Sequence, residues 1–495
     1  MDEQTPRAEE TAHEVAPGTP PTEPPLQETS VIGPPMEPVR EPERIHALDV
    51  LRGFAIFGIF MVNIAFFSMP LAKLIDPSLL ADATAGDQIA YAVMRSLFEY
   101  KFVSLFSMLF GIGLIVQMQR AEKRDRPFVG LYLRRTFILM ALGLAHAFLL
   151  WYGDILFIYS LVALVAMWCR RLAPRVMLAL CAGALALSVL AFAGVTVISV
   201  VQQQRATEAT QDQTSEPIEV TESPDDDVEN VVVEETMDQA PQAEPADPWA
   251  RYQAVLEANG WQPGDPAWIE LDVIAYKEGP MMITLVHRAW TFLMMLVIVT
   301  ITGFTFRVVG MFLLGMALMK LDFFSAQRRR WHWAFCILGL TIGLAGEFFL
   351  VWSHHHSNYQ VGWLQGGAEI FHNISSFALC LGYVGAIILI VRSGLLKWLT
   401  YAFSCVGRTA LTNYLLQTIV ATYIMYWWGL GLFNDVSSPL QLAMVVGIYA
   451  AQLVLSVLYL RLFRIGPFEW LWRSLTYLKL QPILRQKGSI PPTVG

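Results

Sequence analysis

The chain has 495 residues, of which 55% are hydrophobic and only 15% charged, with a mean hydropathy of +0.46 and a formal net charge of −8. That composition excludes a soluble enzyme, gives no reason to expect a nucleic-acid partner, and predicts an all-α, polytopic membrane helix bundle in contact with lipid. Cys169, Cys181, Cys336, Cys380 and Cys405 lie in or beside apolar runs without a CxxC or metal-ligand spacing, so buried thiols are expected, with neither a disulfide framework nor a metal site.

Residues 1–45 are rich in Pro and Glu, lack an apolar core, and read as a disordered cytoplasmic tail. Residues 202–248 form a second such segment, an acidic insertion whose stretch from Ala206 to Pro248 holds fourteen acids and no Lys or Arg. Setting aside these fourteen acids and the tail's ten acids and three bases leaves 18 acidic against 31 basic residues. The membrane core is therefore cationic.

Apolar runs long enough to span fall near 47–69, 98–118, 134–151, 154–169 and 176–201 in a first membrane half, 46–201. A second half, 304–480, carries runs near 304–322, 331–352, 367–391, 409–428 and 441–463. About ten crossings result. The basic clusters at Arg120 to Arg135, Arg170 to Arg175, Arg328 to Arg330, Arg392 with Lys397, and Arg461 with Arg464 all land on the side of the N-terminus. The positive-inside rule makes that side cytoplasmic and places both termini there, 481–495 being a cytoplasmic tail. The segment 249–303 includes the apolar stretch Met281 to Gly303, but a crossing there would put Arg328 to Arg330 outside. It reads instead as interfacial and partly re-entrant, with Trp249, Trp261, Trp268 and Trp290 at the boundary.

The first helix, LDVLRGFAIFGIFMVN, places Asp49 and Arg52 at its mouth and Asn63 about 16 Å further in on nearly the same face. Polar groups in hydrocarbon are costly unless paired or lining a cavity, so this is either a packing seam or part of a site. In the second helix Ser104, Ser107 and Gly111 form a small-residue face for close helix packing, with Lys101 open to an interfacial reading. In GLAHAFLLWYGDIL, His146 and Asp154 can point into one outward-facing cavity, where an imidazole oriented by a carboxylate could exchange protons. A buried His bonded to a carbonyl and an Asp capping the next helix explain the pair equally well.

Further on, Glu347 sits inside the seventh run, and Glu369 and His372, three residues apart and able to touch, open the eighth with Asn373. The consecutive His354 to His356 cannot all face one ion, and hydrogen bonding is preferred to metal binding. GRTALTNYLLQT brings Arg408, Thr409, Asn413 and Gln417 into a second polar stripe, and GPFEWLWRSLTY offers Glu469 and Arg473. Arg52, Arg408 and Arg473 together could form a basic mouth for a phosphorylated or carboxylated molecule, with salt-bridged scaffolding as the competing account.

These motifs, in this order, resemble the YeiB-like family of bacterial inner-membrane proteins, whose C-terminal half defines a domain of unassigned function. The resemblance covers roughly residues 44–201 and 304–480. The family is similar in layout to the transmembrane acyltransferases, which move an acyl group from cytoplasmic acyl-CoA to an acceptor, often a sugar, at the outer face. One branch of these has an Arg and a catalytic His at the spacing of Arg52 and Asn63, but Asn63 is not a His. A second branch has Asn there and a His in the following loop, whereas Phe66 to Phe98 contains none. Only Asp49, Arg52 and Asn63 carry over.

The resulting expectation is an acyltransferase with a polar tunnel and no permanently bound cofactor. Arg52 and Arg408 would hold the phosphates of an acyl-CoA donor, Asn63 the acyl carbonyl, and His146 with Asp154 would deprotonate an extracytoplasmic sugar or lipid acceptor. Asp49, Asn413, Gln417, Glu347, Glu369, His372 and Arg473 complete the substrate path. The rival is a transporter or lipid-handling permease with Glu347 and Glu369 as proton carriers, or a non-catalytic scaffold.

Overall fold

A computed structural model describes residues 45–75, 83–215, 247–259 and 267–485. The proline-rich tail and most of the acidic insertion, read above as disordered, lie outside the described residues.

The chain opens with α1 (His46–Ser68), which continues until Pro70 removes a backbone donor. The short α2 (Leu71–Ile75) follows, and α3 (Ala85–Val93) is started by Thr84, whose hydroxyl accepts from the Asp87 amide. α3 passes through one wide turn, Met94–Phe98, into α4 (Lys101–Lys123). α5 (Val129–Leu149), α6 (Leu156–Cys169) and α7 (Pro174–Ser215) complete the first half. α7 corrects the sequence-based boundary: residues 202–215, assigned to the disordered insertion, continue its helix.

The connecting region holds α8 (Pro248–Asn259), α9 (Ala267–Val273) and α10 (Met281–Ile301). The segment read as interfacial and partly re-entrant contains one continuous helix. α10 is one uninterrupted helix of 21 residues, long and apolar enough to cross a membrane, because no Gly or Pro breaks it. Trp268, expected at the boundary, is instead buried in the core beside His287. Gly303, in a left-handed conformation at φ +77°, joins α10 to α11 (Phe304–Lys320).

The second half continues with α12 (Arg329–His356), α13 (Trp363–Ser393), α14 (Lys397–Arg408), α15 (Ala410–Met425), α16 (Ser438–Leu462) and α17 (Pro467–Tyr477). Among the described residues eight helices have the length and hydropathy to cross a membrane. These include α10 and seven of the ten expected runs. The other three, α6, α11 and α15, are helices of 14, 17 and 16 residues. The chain is a polytopic all-α bundle.

Arg307 reaches Ser104 and Phe312 stacks on Phe110, so α11 runs parallel to α4. The small face expected on α4 serves this contact: Gly111 rests on the Phe312 carbonyl and Gly315 on the Met108 carbonyl, and any Cβ would collide with backbone. α12 and α13 form an antiparallel pair through Gly339, Gly343 and Gly382. The amphipathic α14 lies against the start of α1, where Gly53 meets the Phe403 carbonyl and Gly407 the Asp49 carbonyl.

Candidate functional site

Three buried polar assemblies stand out. The first joins α5, the turn before α6, and α15. Gly143 on α5 lets the following turn close over it, with the Asp154 carboxylate and the Phe157 backbone nearest. Asp154 caps α6 by accepting from the Phe157 amide at 2.8 Å. Its other oxygen lies 2.8 Å from His146 Nδ1, and His146 Nε2 lies 3.0 Å from the Thr418 hydroxyl. All three residues are buried, and Tyr414 and Trp151 flank the imidazole with ring centroids 5.1 and 6.3 Å away. The carboxylate–imidazole–hydroxyl order is the one that activates an oxygen for acyl chemistry. Thr418 carried no sequence signal beyond lying in an apolar helix one turn after Tyr414.

The second assembly lies between α4, α12 and α13. Lys101, which its position alone left open, is fully buried with its ammonium 3.0 Å from Glu347. Glu347 also accepts from Ser375 at 2.9 Å and lies 2.7 Å from His372 Nδ1. Glu369 and His372 do not pair with each other as their spacing suggested. Glu369 instead meets Arg95 and, at 3.0 Å, His354, because the face of α13 that carries it turns toward the wide turn of Met94–Phe98 and the end of α12. Arg95 also binds Glu99 at 2.6 Å, and a small cleft lined by Tyr91, Arg95, His354 and Tyr359 reaches this group. Of the three consecutive histidines only His354 is buried here. Beside them Arg307 donates to Ser104, Ser376 and both oxygens of Asn373 at 2.6–3.3 Å and stacks 3.8 Å from the Phe377 ring. Arg95, Glu99 and Arg307 are missing from the sequence-based site, though each stands as a lone charge beside or within an apolar run.

A third assembly was also missed. His287 on α10 lies 2.7 Å from Asp272 and 2.9 Å from the Tyr252 hydroxyl, and Asp272 accepts from the Leu71 amide.

The candidates around the start of α1 form a different picture. Arg52 pairs with Asp49 at 2.9 Å, and Gly407 brings Arg408 to the same turn of α1. Arg473 lies on α17 near Glu469, which caps α15 by accepting from the Leu411 and Thr412 amides. Asn413 and Gln417 do not extend this mouth. They bond Ser456 and Gln452 of α16 at 3.1 and 2.8 Å, so the polar stripe of α15 is spent on helix packing.

Among the described residues, apolar side chains occupy the space between Arg52 and His146 where a polar tunnel was expected. Ile56, Leu139, Val406, Leu411, Tyr414, Leu415 and Tyr449 pack as a buried apolar layer across the intervening turns of α1, α5, α14, α15 and α16. Asn63, half-buried, lies beyond that layer among the outer turns of α1. Gly53 and Gly407 bring the backbones of α1 and α14 into direct contact beside this layer. Among the described residues no group of three or more His, Cys, Asp or Glu side chains is placed to hold a metal ion.

Residues 318–479 match the family model described as a protein of unknown function, DUF418. The chain is 30% identical over 466 residues to the uncharacterized protein YxaH of Bacillus subtilis (strain 168), covering 91% of this chain and 98% of the relative. It is 29% identical over 454 residues to the uncharacterized protein YeiB of Escherichia coli (strain K12), covering 89% and 98%. With both membrane halves matched over nearly the full length of these relatives, the chain belongs to the YeiB-like family.

Proposed function

We propose that the protein is a membrane-embedded acyltransferase that works at His146. The observation that carries this reading is the imidazole held between the Asp154 carboxylate and the Thr418 hydroxyl. Asp154 fixes the tautomer with hydrogen on Nδ1, leaving Nε2 free to accept a proton. An acceptor hydroxyl or amine arriving from the extracytoplasmic side displaces Thr418 and gives its proton to Nε2. Its oxygen or nitrogen then bonds to the thioester carbonyl carbon, the C–S bond breaks, and the thiolate leaves to take up the proton. The donor is an acyl-CoA from the cytoplasmic face, its phosphates gripped by Arg52 and Arg408. This scheme requires the apolar layer between Arg52 and His146 to part and admit the thioester arm of the donor while its charged head stays at Arg52. In this scheme the protein resides in the inner membrane with both termini in the cytoplasm.

The test is acyl transfer from labelled acyl-CoA by purified protein in liposomes, with sugars and lipids as acceptors. H146A is expected to abolish product; turnover equal to wild type removes His146 from the chemistry.

A second reading, a proton-coupled permease, is favoured by a different observation. His354 lines a cleft and pairs with Glu369, and Glu347 with Lys101 and His372 belongs to the same assembly. Flux of a solute driven by a proton gradient, without acylated product and lost in E347Q, would support it instead.

A further inference from the structure

Arg288 sits within the apolar run of α10, MMITLVHRAWTF, and is fully buried. A guanidinium in that setting is costly unless its donors and its charge are met. Only one donor is. Nη1 donates to the Phe148 carbonyl at 3.2 Å, and the guanidinium carbon stands 5.6 Å from the Trp428 ring. Nε and Nη2, the two donors that share one edge of the fork, meet no acceptor among the described residues, and no carboxylate there lies within ion-pair distance. Asp272, the nearby acid, is already engaged by His287 and by the Leu71 amide.

Two further polar groups belong to the same shell, since the Trp428 ring that Arg288 faces packs edge-on against Tyr426 at 4.9 Å. Tyr276 and Tyr426 stack with centroids 4.7 Å apart, both fully buried, and neither hydroxyl has a hydrogen-bond partner among the described residues. The chain thus collects a free guanidinium edge and two phenolic O–H groups in one apolar shell with nothing to receive them. A guanidinium edge presents two parallel N–H bonds at the spacing of two oxygens on one tetrahedral oxyanion, and the phenols supply donors for its remaining oxygens.

We propose that Arg288, Tyr276 and Tyr426 form a binding site for a phosphate group, carried by a lipid headgroup or present as the free anion. The site lies at the end of α5, since the carbonyl bonded by Arg288 is two residues beyond His146. It stands whether or not His146 transfers acyl groups.

The test is thermal unfolding of the full-length protein in a neutral detergent, titrated with inorganic phosphate, dihexanoyl phosphatidic acid, or dihexanoylglycerol as the phosphate-free control. Saturable stabilisation by phosphatidic acid alone assigns a lipid headgroup, by both phosphate probes a free anion, and either outcome supports the site. The control is expected to do nothing. R288Q should weaken the response about tenfold or more, and Y276F and Y426F should each weaken it several-fold while keeping the ring packing. H146A should bind as wild type, which separates this result from any failure of acyl transfer. Absence of a saturable response to both phosphate probes overturns the proposal, as does a folded R288Q that titrates like wild type. Where R288Q fails to fold, the Y276F/Y426F double variant decides: unchanged affinity overturns it.

Discussion

The Lys101 ammonium lies 3.0 Å from the Glu347 carboxylate with both side chains sealed from solvent, binding the first turn of α4 to the middle of α12. Removing one partner leaves the other as an uncompensated buried charge, which costs about 3–5 kcal/mol. K101M should therefore lower the unfolding midpoint sharply in detergent. The double variant K101M/E347L should recover much of that loss, since two apolar side chains leave no stranded ion. Additive single effects in the double-mutant cycle would contradict direct pairing.

Arg307 offers a test of geometry apart from charge. Its fork donates to Ser104, Ser376 and Asn373 together, joining α4, α11 and α13. R307K keeps the charge and loses the fork, and is expected to destabilise the protein by about 1–3 kcal/mol. Equal thermal stability of R307K and wild type would show that charge alone suffices there.

G111V and G315V should reduce the yield of folded protein, because a side chain at either position runs into the backbone carbonyl of the facing helix. G113V, whose added Cβ meets nothing, is the matched control and should express as wild type. The readout is the monodisperse fraction on size-exclusion chromatography.

For the reaction proposed at His146, D154N should lower kcat by about 10²–10⁴ with little change in KM, through loss of the correct tautomer. T418V should cost far less, because Thr418 only occupies the place of the acceptor. A T418V loss as large as that of D154N would instead make the threonine oxygen a participant in the chemistry.

Sidedness can be read with single cysteines in a background lacking the native five. R328C and H355C mark opposite ends of α12 and are both exposed. H355C should react with an impermeant thiol reagent in intact cells, and R328C only after lysis. The reverse pattern would invert the positive-inside assignment.

Much of this layout is legible in the sequence. Hydropathy gives the bundle, and the Gly153–Asp154 turn after His146 gives a pair that the coordinates bring to 2.8 Å. Long-range pairing is not legible. Lys101 and Glu347 each read as isolated charges, and nothing local says that α4 and α12 meet. Asn413 and Gln417 read as a path because their spacing is right, while their partners on α16, Ser456 and Gln452, look like ordinary polar breaks in an apolar run. For Met281–Ile301 hydropathy allows a crossing and charge bias opposes one, so the apolar stretch is legible and its placement is not.

The packed layer of Ile56, Leu139, Leu415 and Tyr449 has an electrical consequence. In the scheme proposed for His146 it acts as a dielectric plug, leaving His146 and Asp154 to exchange protons from one side only. Opening the layer with I56S and L415S together is expected to make reconstituted vesicles leak protons, and tight vesicles would contradict that role.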